Sequence, residues 1–203
     1  MARVSEPVTL LDVVRQALRD LEHAGARVAL VGGLAVGARA RERTTRDADF
    51  AVAVLDDAAA ERIVRELRGA GYGLQVLLEH SEQGRLATVR FTSPLDGITM
   101  VDALFASSGI EEEVVAAAEV IDVGAGVACP VASAGHLIAL KVLARNEQRA
   151  QDDDDLGALL RGVRIEELQR ARAAVRLIEE RGYGRGKQLG AELEQHVARW
   201  AAR

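Results

Sequence analysis

Four consecutive apolar residues, Val28–Val31, run directly into Gly32 and Gly33. A short apolar run rich in β-branched residues predicts a strand that is buried on both faces. The glycine pair predicts a tight turn, and residues 34–40 then predict a short helix. A buried strand that passes through glycines into a helix indicates an α/β domain, which the rest of the pattern must complete.

The pattern of apolar residues changes character after Pro130. Before it, we predict helices at 9–23, 56–69 and 111–118, strands at 49–54, 74–78, 86–92 and 98–105, and a strand pair within 119–129. After it, we predict four helices, at 133–145, 155–161, 165–181 and 187–202. The sequence therefore predicts a mixed α/β (α+β) fold, with a core at 1–130 and a helical region at 131–203 packed on that core.

The amino-acid composition narrows the classes of binding partner that the protein is expected to have. Only 3% of the residues are aromatic, which argues against a stacking platform for single-stranded nucleic acid. The net charge of −5 argues against a generic polyanion binder. Residues 161–203, however, hold ten Lys or Arg and six Asp or Glu, a net +4, so residues 1–160 carry −9. A local surface that faces phosphates is therefore still allowed.

The single cysteine, Cys129, excludes a disulfide framework and a Cys-rich zinc site. Glu6 and Asp12 stand where a signal peptide needs an apolar run. No segment approaches the roughly 18 apolar residues of a membrane span. We therefore expect a cytoplasmic protein without a membrane partner.

The glycine turn at Gly32-Gly33 has two interpretations. Glycines at the start of a helix let backbone N–H groups approach an anion, which is how many phosphates are bound. The turn matches neither a dinucleotide fingerprint nor a P-loop, since Ala38 and Arg39 follow Gly37 where a P-loop needs Lys and Ser or Thr. The alternative is a tight turn without a ligand.

Three carboxylates belong to the predicted strands. Asp47 and Asp49 lie two residues apart at the start of a strand, so both point to one face. Paired like charges need a compensating cation, for which Mg²⁺ is suited; a solvated pair is the alternative. Asp102 interrupts an apolar strand, where an unpaired carboxylate is costly. Its alternatives are a neighbouring Arg or exposure on an edge strand.

Taken together, three carboxylates on neighbouring strands beside a glycine turn describe a two-metal phosphoryl-transfer site. One carboxylate would bridge both ions, and another would accept the proton of the attacking hydroxyl or bind the catalytic metal.

The spacing of these motifs resembles the nucleotidyltransferase fold, and in particular the AbiEii-type nucleotidyltransferases of type IV toxin–antitoxin and abortive-infection systems. The resemblance spans about residues 10–180. It is carried by Val31-Gly-Gly-Leu-Ala-Val36, Arg43-Thr-Thr-Arg-Asp-Ala-Asp-Phe50, Val101-Asp-Ala-Leu104, Leu137-Ile-Ala-Leu-Lys-Val-Leu-Ala144 and Arg149-Ala-Gln-Asp-Asp-Asp-Asp-Leu156. It implies a nucleotidyltransferase-like mixed sheet and transfer of a nucleoside monophosphate from an NTP to an acceptor hydroxyl.

The resemblance also implies roles for individual residues. Asp47, Asp49 and Asp102 would be the catalytic carboxylates and would ligate Mg²⁺ in a two-ion site. The nucleotide would be bound by residues from three of the motifs: Gly32, Gly33, Arg43, Thr45, Arg46, Lys141 and Asp152. For the acidic run at 152–155 the alternative is an N-capping role for the helix at 155–161. For Arg43 and Arg46 it is a solvated loop charge.

The chain departs from the family pattern at one position. Many members have Gly-Ser where this chain has Gly32-Gly33, so a hydroxyl that would contact a phosphate is absent. This departure supports an alternative function in which the protein is not an enzyme. The alternative is a degenerate, non-catalytic module that senses a nucleotide or binds a partner. The acceptor is open among RNA such as tRNA, a protein and a small molecule. A cognate toxin or antitoxin is the expected protein partner.

Overall fold

A computed structural model describes residues 7–41, 44–145 and 150–201. The helices found there are α1 (Leu10–His23), α2 (Gly32–Arg39), α3 (Asp57–Gly69), α4 (Glu111–Ala116), α5 (Ala134–Ala144), α6 (Ala150–Leu160), α7 (Ile165–Glu180) and α8 (Leu189–Trp200). The strands are β1 (Arg27–Val31), β2 (Asp47–Ala53), β3 (Gly73–His80), β4 (Arg85–Thr92), β5 (Met100–Leu104), β6 (Glu119–Asp122) and β7 (Ala128–Val131).

The strands form one mixed sheet of seven, in the order β3-β4-β5-β2-β1-β7-β6. Two neighbouring pairs, β2 with β5 and β1 with β7, are parallel, and the other pairs are antiparallel. The central strands are the apolar ones, and Phe50 and Phe91 are fully buried on them. The mixed α/β fold predicted from the sequence is confirmed.

The turn between β4 and β5 fixes the register of the sheet beside β2. Ser93 donates its backbone N–H to the Thr99 carbonyl at 2.8 Å, and Gly97 adopts a φ of 69° that favours glycine. The pairing that follows sets Arg90 opposite Asp102. One short loop therefore decides which side chain faces the predicted carboxylate.

The helices after β7 pack on one another and on α2. Ser133 caps α5 as predicted, its hydroxyl accepting the backbone N–H of His136. Gly135 lies where α5 crosses α7, so close that an added Cβ would stand 2.4 Å from the Glu167 carbonyl oxygen. Contacts of α2 with α5 and α6 join this helical group to the sheet.

Two predictions about helix boundaries are wrong. The helix after β1 begins at Gly32 itself, because the turn occupies only the step from extended Val31 into Gly32. The acidic run 152–155 does not cap a helix at 155–161, since it lies inside α6, which starts at Ala150. The division of the chain at residue 130 stays a prediction. No helix in the described ranges is long and apolar enough to cross a membrane.

Candidate functional site

A cleft of about 490 Å³ opens between the sheet and the helical group. Its floor comes from β2 and β5, and its walls come from the start of α2, from α4, from α5 and α6, and from the α7–α8 linker. Every carboxylate that the sequence assigns to catalysis lines this cleft, namely Asp47, Asp49 and Asp102.

The parallel pairing of β2 with β5 brings these carboxylates together. Asp49 and Asp102 are direct partners in the register. Asp47 precedes Asp49 by two residues on the same strand, so its side chain projects from the same face. The side chain of Asp102 is only 10% exposed. Three acidic groups therefore share one small region of the cleft floor.

The first turn of α2 lies directly against Asp49. Gly32 has a φ of 65°, and a Cβ built there would stand 1.9 Å from Oδ2 of Asp49. No residue with a side chain fits this position without displacing the carboxylate. Val31, the N-cap of α2, makes no side-chain hydrogen bond to the helix start. The first backbone N–H groups of α2 are therefore not capped by the Val31 side chain, and they lie beside the carboxylates.

A cation that the sequence analysis did not identify neutralises Asp102. Arg90, on β4, donates from Nε to Oδ1 at 2.8 Å and from Nη2 to Oδ2 at 2.6 Å. This two-point contact raises the pKa of Arg90 and occupies both oxygens of Asp102. Counting back from the predicted turn at 93–97 could have found Arg90, because the turn pairs it with Asp102.

Asp49 is destabilised by its surroundings when it is ionised. Burial, together with the charges of Asp102 and Asp47, raises its pKa to about 6, although Lys141 and Arg90 act in the opposite direction. A cation placed among these carboxylates would relieve the repulsion.

Hard carboxylate oxygens are the donors that Mg²⁺ prefers, so Asp47, Asp49 and Asp102 fit the metal in donor type. In the part of the chain that the structure describes, no three or more His, Cys, Asp or Glu side chains are gathered as a ligand set. Both oxygens of Asp102 accept hydrogen bonds from Arg90.

Lys141 forms a buried cluster with two residues of α6. Its Nζ lies 2.9 Å from Oδ1 of Asp152 and 2.7 Å from Oδ2 of Asp155. The ammonium group thus joins α5 to α6 and is already matched by two negative charges. The second oxygen of Asp152 is buried and has no hydrogen-bond partner among the described residues. Because Asp152 and Lys141 both line the cleft, a ligand there can reach the cluster.

The other predicted nucleotide contacts are distributed unevenly. Gly33 and Thr45 line the cleft. Arg46 is exposed and is not among the residues of the cleft wall. Arg43 lies outside the described residues. The structure therefore brings Gly32, Gly33, Thr45, Lys141 and Asp152 to one cleft and leaves Arg46 apart.

Two further polar residues of the cleft, Glu111 and Arg185, were missed by the sequence analysis. Glu111 begins α4, and Arg185 lies in the linker between α7 and α8. Neither belongs to a motif, and 74 residues separate them in sequence. Only the packing of that linker against the loop after β5 places them together.

No protein-family model matches the chain, and no curated protein matches it in sequence. The structure is similar to solved structures at low identity. Lincosamide antibiotic adenylyltransferase LnuA, bound to lincomycin, has 14% identity and a TM-score of 0.47, over 75% of this chain and 98% of its own. An antigenic nucleotidyltransferase-like protein from Paracoccidioides brasiliensis has 16% identity and a TM-score of 0.48, over 91% and 92%. Antibiotic-resistance factor ANT(2'')-Ia has 13% identity and a TM-score of 0.48, over 93% and 89%.

Proposed function

We propose that this chain is a nucleotidyltransferase that moves a nucleoside monophosphate from an NTP to an acceptor hydroxyl and releases pyrophosphate. The observation that carries the proposal is the meeting of three carboxylates with a helix N-terminus. Asp49 and Asp102 are paired across β2 and β5, and the first turn of α2 touches Asp49. An anion-binding turn beside carboxylates suits a metal-bound polyphosphate.

Each group of the cleft has a part in the proposed reaction. The backbone N–H groups of Gly32 and Gly33 bind triphosphate oxygens. The acceptor oxygen forms a bond to the α-phosphorus, the bond from that phosphorus to the bridging oxygen breaks, and pyrophosphate leaves. Asp102 accepts the proton of the acceptor hydroxyl. For this step, Arg90 must release one of the two carboxylate oxygens of Asp102. Asp152 contacts the nucleotide through the oxygen that lacks a partner among the described residues.

Mg²⁺ is the proposed cofactor, held by Asp47, Asp49 and Asp102. When bound, it neutralises the triphosphate and orients the reacting oxygens. The mutual repulsion that raises the pKa of Asp49 supports a cation at this place.

We place the reaction in a toxin–antitoxin or phage-defence setting, and the support for this is the motif resemblance to AbiEii-type proteins. That resemblance allows an RNA such as tRNA, a partner protein or a small molecule as acceptor. A helical region that closes one side of the cleft supports an acceptor held between it and the sheet.

The test is transfer of label from each α-³²P-labelled NTP to a cell extract with Mg²⁺. The wild type should label at least one component. The Asp47→Ala/Asp49→Ala double variant should label it about 1000-fold more slowly, since losing the metal ligands removes roughly 4 kcal/mol of transition-state stabilisation. Asp122→Ala, which removes an exposed carboxylate at the end of β6, is the matched control and should label normally. Equal labelling by the wild type and the double variant would reject the proposal.

A second candidate is a non-catalytic nucleotide-sensing or partner-binding module. The ion pairs of the cleft favour this candidate. Arg90 is already paired with Asp102, and Lys141 is already paired with Asp152 and Asp155. Calorimetry separates the candidates: Mg²⁺-dependent nucleotide binding without any transfer supports the module, and transfer rejects it.

A further inference from the structure

The cleft continues beyond the carboxylates, towards the carboxyl ends of β2 and β5. Ala51 and Leu104, which pair with each other, form the floor here. Ala51 is two residues beyond Asp49, or about 7 Å further along the strand. Ser107, Ser108, Glu111 and Arg185 line this end, which we call the distal subsite.

Arg185 brings a positive charge to the distal subsite, and the carboxylate of Glu111 offsets part of it through space. Its Nη2 donates to the carbonyl oxygen of Ser107 at 3.0 Å and to the Ser107 hydroxyl at 3.4 Å. Within the described ranges it makes no ion pair with an acidic side chain, unlike Arg90. Surrounding protein atoms displace water and lower the pKa of its guanidinium. A partly desolvated guanidinium with spare N–H donors favours an anionic ligand.

Arg185 is held by backbone conformation as well as by contacts. Its φ is 55°, a left-handed value that is unfavourable for a residue with a side chain. The linker that carries it is docked on the loop after β5, where an added Cβ on Gly109 would stand 2.4 Å from the ring of Tyr183. The guanidinium is therefore presented by a packed segment.

Glu111 fixes the other wall of the subsite. Its side chain accepts three hydrogen bonds on Oε1, from the backbone N–H of Ser107 at 2.9 Å and from the N–H and hydroxyl of Ser108 at 2.7 and 2.8 Å. The residue is only 6% exposed. The backbone N–H of Glu111 itself also bonds to this carboxylate, and no donor from another described residue reaches Oε2. The same bonds immobilise the Ser107 carbonyl that orients Arg185.

We propose that the distal subsite binds the acceptor through a phosphate group on Arg185 and a hydroxyl on Glu111, so that the acceptor is a ribose phosphate. This inference rests on the proposed nucleotidyl transfer. A polycationic acceptor fits poorly, because Arg185 repels it. A ribose phosphate carries an anion for Arg185 and hydroxyl groups for Glu111, so it offers one group to each of the two residues. The same chemistry occurs at the end of an RNA and in a free sugar phosphate.

The test measures binding at the distal subsite while the carboxylate end is filled with Mg²⁺ and the α,β-methylene analogue of an NTP. The probes are ribose 5-phosphate, ribose and a ribotetranucleotide, titrated by calorimetry. Arg185→Gln should weaken ribose 5-phosphate about 10- to 100-fold, the amount expected for a lost charged hydrogen bond. It should leave the affinity for ribose unchanged. Arg185→Lys should recover part of the loss. Arg176→Gln, the same charge change on the exposed side of α7, should bind as the wild type does.

The outcomes separate this inference from the proposed function. If ribose 5-phosphate binds the wild type and Arg185→Gln equally well, the distal-subsite inference is overturned. It is also overturned if Arg185→Gln loses affinity for the NTP analogue and not for ribose 5-phosphate. If the analogue binds neither protein, nucleotidyl transfer fails, while phosphate-dependent binding that needs Arg185 still supports the subsite. Tighter binding of the tetranucleotide than of ribose 5-phosphate identifies an RNA end as the source, and equal binding identifies a small molecule.

Discussion

At the scale of single residues, Asp49 shows how a residue placed for ligand binding can lower the stability of the folded protein. It faces Asp47 and Asp102 with only partial compensation from Lys141 and Arg90, and burial with these neighbours raises its pKa to about 6. The native fold therefore holds an ionised carboxylate at neutral pH against an electrostatic penalty. Such a penalty is typical of positions selected for binding and not for stability.

Replacing Asp49 by Asn should therefore stabilise the metal-free protein at neutral pH. The folded-state pKa lies above the ordinary value of 3.8, so the folded state binds the extra proton between about pH 4 and 6. Stability falls as pH rises through that window, and Asp49→Asn escapes this loss. We expect its free energy of unfolding to exceed that of the wild type by about 1–3 kcal/mol at pH 7.5 and to equal it near pH 4.

Urea unfolding without divalent metal at both pH values measures this difference. Asp153→Asn is the control of opposite sign, because a hydrogen bond from Arg145 lowers the pKa of Asp153. That variant should be less stable than the wild type at pH 7.5. A less stable Asp49→Asn at pH 7.5 contradicts the account of Asp49.

Arg90 and Asp102 should behave as a coupled pair. Arg90→Gln leaves a carboxylate that is 90% buried without its cation, and we expect a loss of about 1–3 kcal/mol, limited by the 43% exposure of Arg90. Arg90→Gln/Asp102→Asn should regain part of that loss, because the unpaired charge is gone. Urea unfolding of the wild type, the two single variants and the double variant forms a double-mutant cycle, which gives the coupling energy of the pair. Purely additive losses would show that the pair contributes nothing through its contact.

The sequence predicted the carboxylates better than their partners. Asp47 and Asp49 follow from the period of a strand, and Asp102 follows from the cost of a charge within an apolar run. The cation opposite Asp102 depends on register, which the turn at 93–97 determines but composition does not. The contact of Lys141 with Asp152 and Asp155 depends on how two helices cross. No local pattern encodes that crossing.

At the scale of elements, the predicted order of helices and strands agrees with the structure, and the largest error in a boundary is at the start of α6. The acidic run 152–155 was open to interpretation as a cap because carboxylates favour helix N-termini. It lies inside α6 instead because Asp152 and Asp155, three residues apart, share a helix face that meets Lys141. The ion pairs with Lys141 thus explain the carboxylates of Asp152 and Asp155, which the sequence pattern alone could also explain as helix caps.

The crossing of α5 and α7 gives a stability prediction at this scale. An added methyl group at Gly135 would meet the Glu167 carbonyl oxygen at 2.4 Å and Cβ of Arg170 at 2.8 Å, and neither is a flexible side-chain end. Gly135→Ala should therefore lower the free energy of unfolding by about 1–3 kcal/mol.

Thermal and urea unfolding check this against Gly190→Ala in α8. There the nearest atom to an added Cβ is Oε2 of Glu179, at 3.8 Å. That control should be neutral or more stable by about 0.5–1 kcal/mol, because alanine favours a helix. A Gly135→Ala protein as stable as its control would show that the two helices can separate freely.

At the scale of the whole molecule, the cations in the described part of the region 161–203, which has a net charge of +4, have different partners. Several of its cations are matched by carboxylates, as Arg172 is by Glu194 at 2.7 Å and Arg181 by Glu113 at 2.5 Å. Arg185 instead turns into the cleft. Lys187 donates to the carbonyl oxygen of Leu143 at 2.8 Å, which fastens the α7–α8 linker to the end of α5.

The helical group is thus part of the cleft and not an appendage to the sheet. It supplies Lys141, Asp152 and Arg185, while the sheet supplies the three carboxylates. Sequence alone predicted the two groups of elements. The sharing of one cleft between them follows from long-range packing, which motif spacing does not describe.

Asp47, Asp49 and Asp102, with the first turn of α2, form the proposed site for a metal-bound triphosphate. Equilibrium binding of the non-hydrolysable analogues of all four NTPs, with and without Mg²⁺, tests it most directly. We expect at least one analogue to bind only with Mg²⁺, and we expect Asp49→Asn to weaken this binding at least about tenfold. Binding that is indifferent to Mg²⁺ or to Asp49→Asn, or no binding of any analogue, would contradict it.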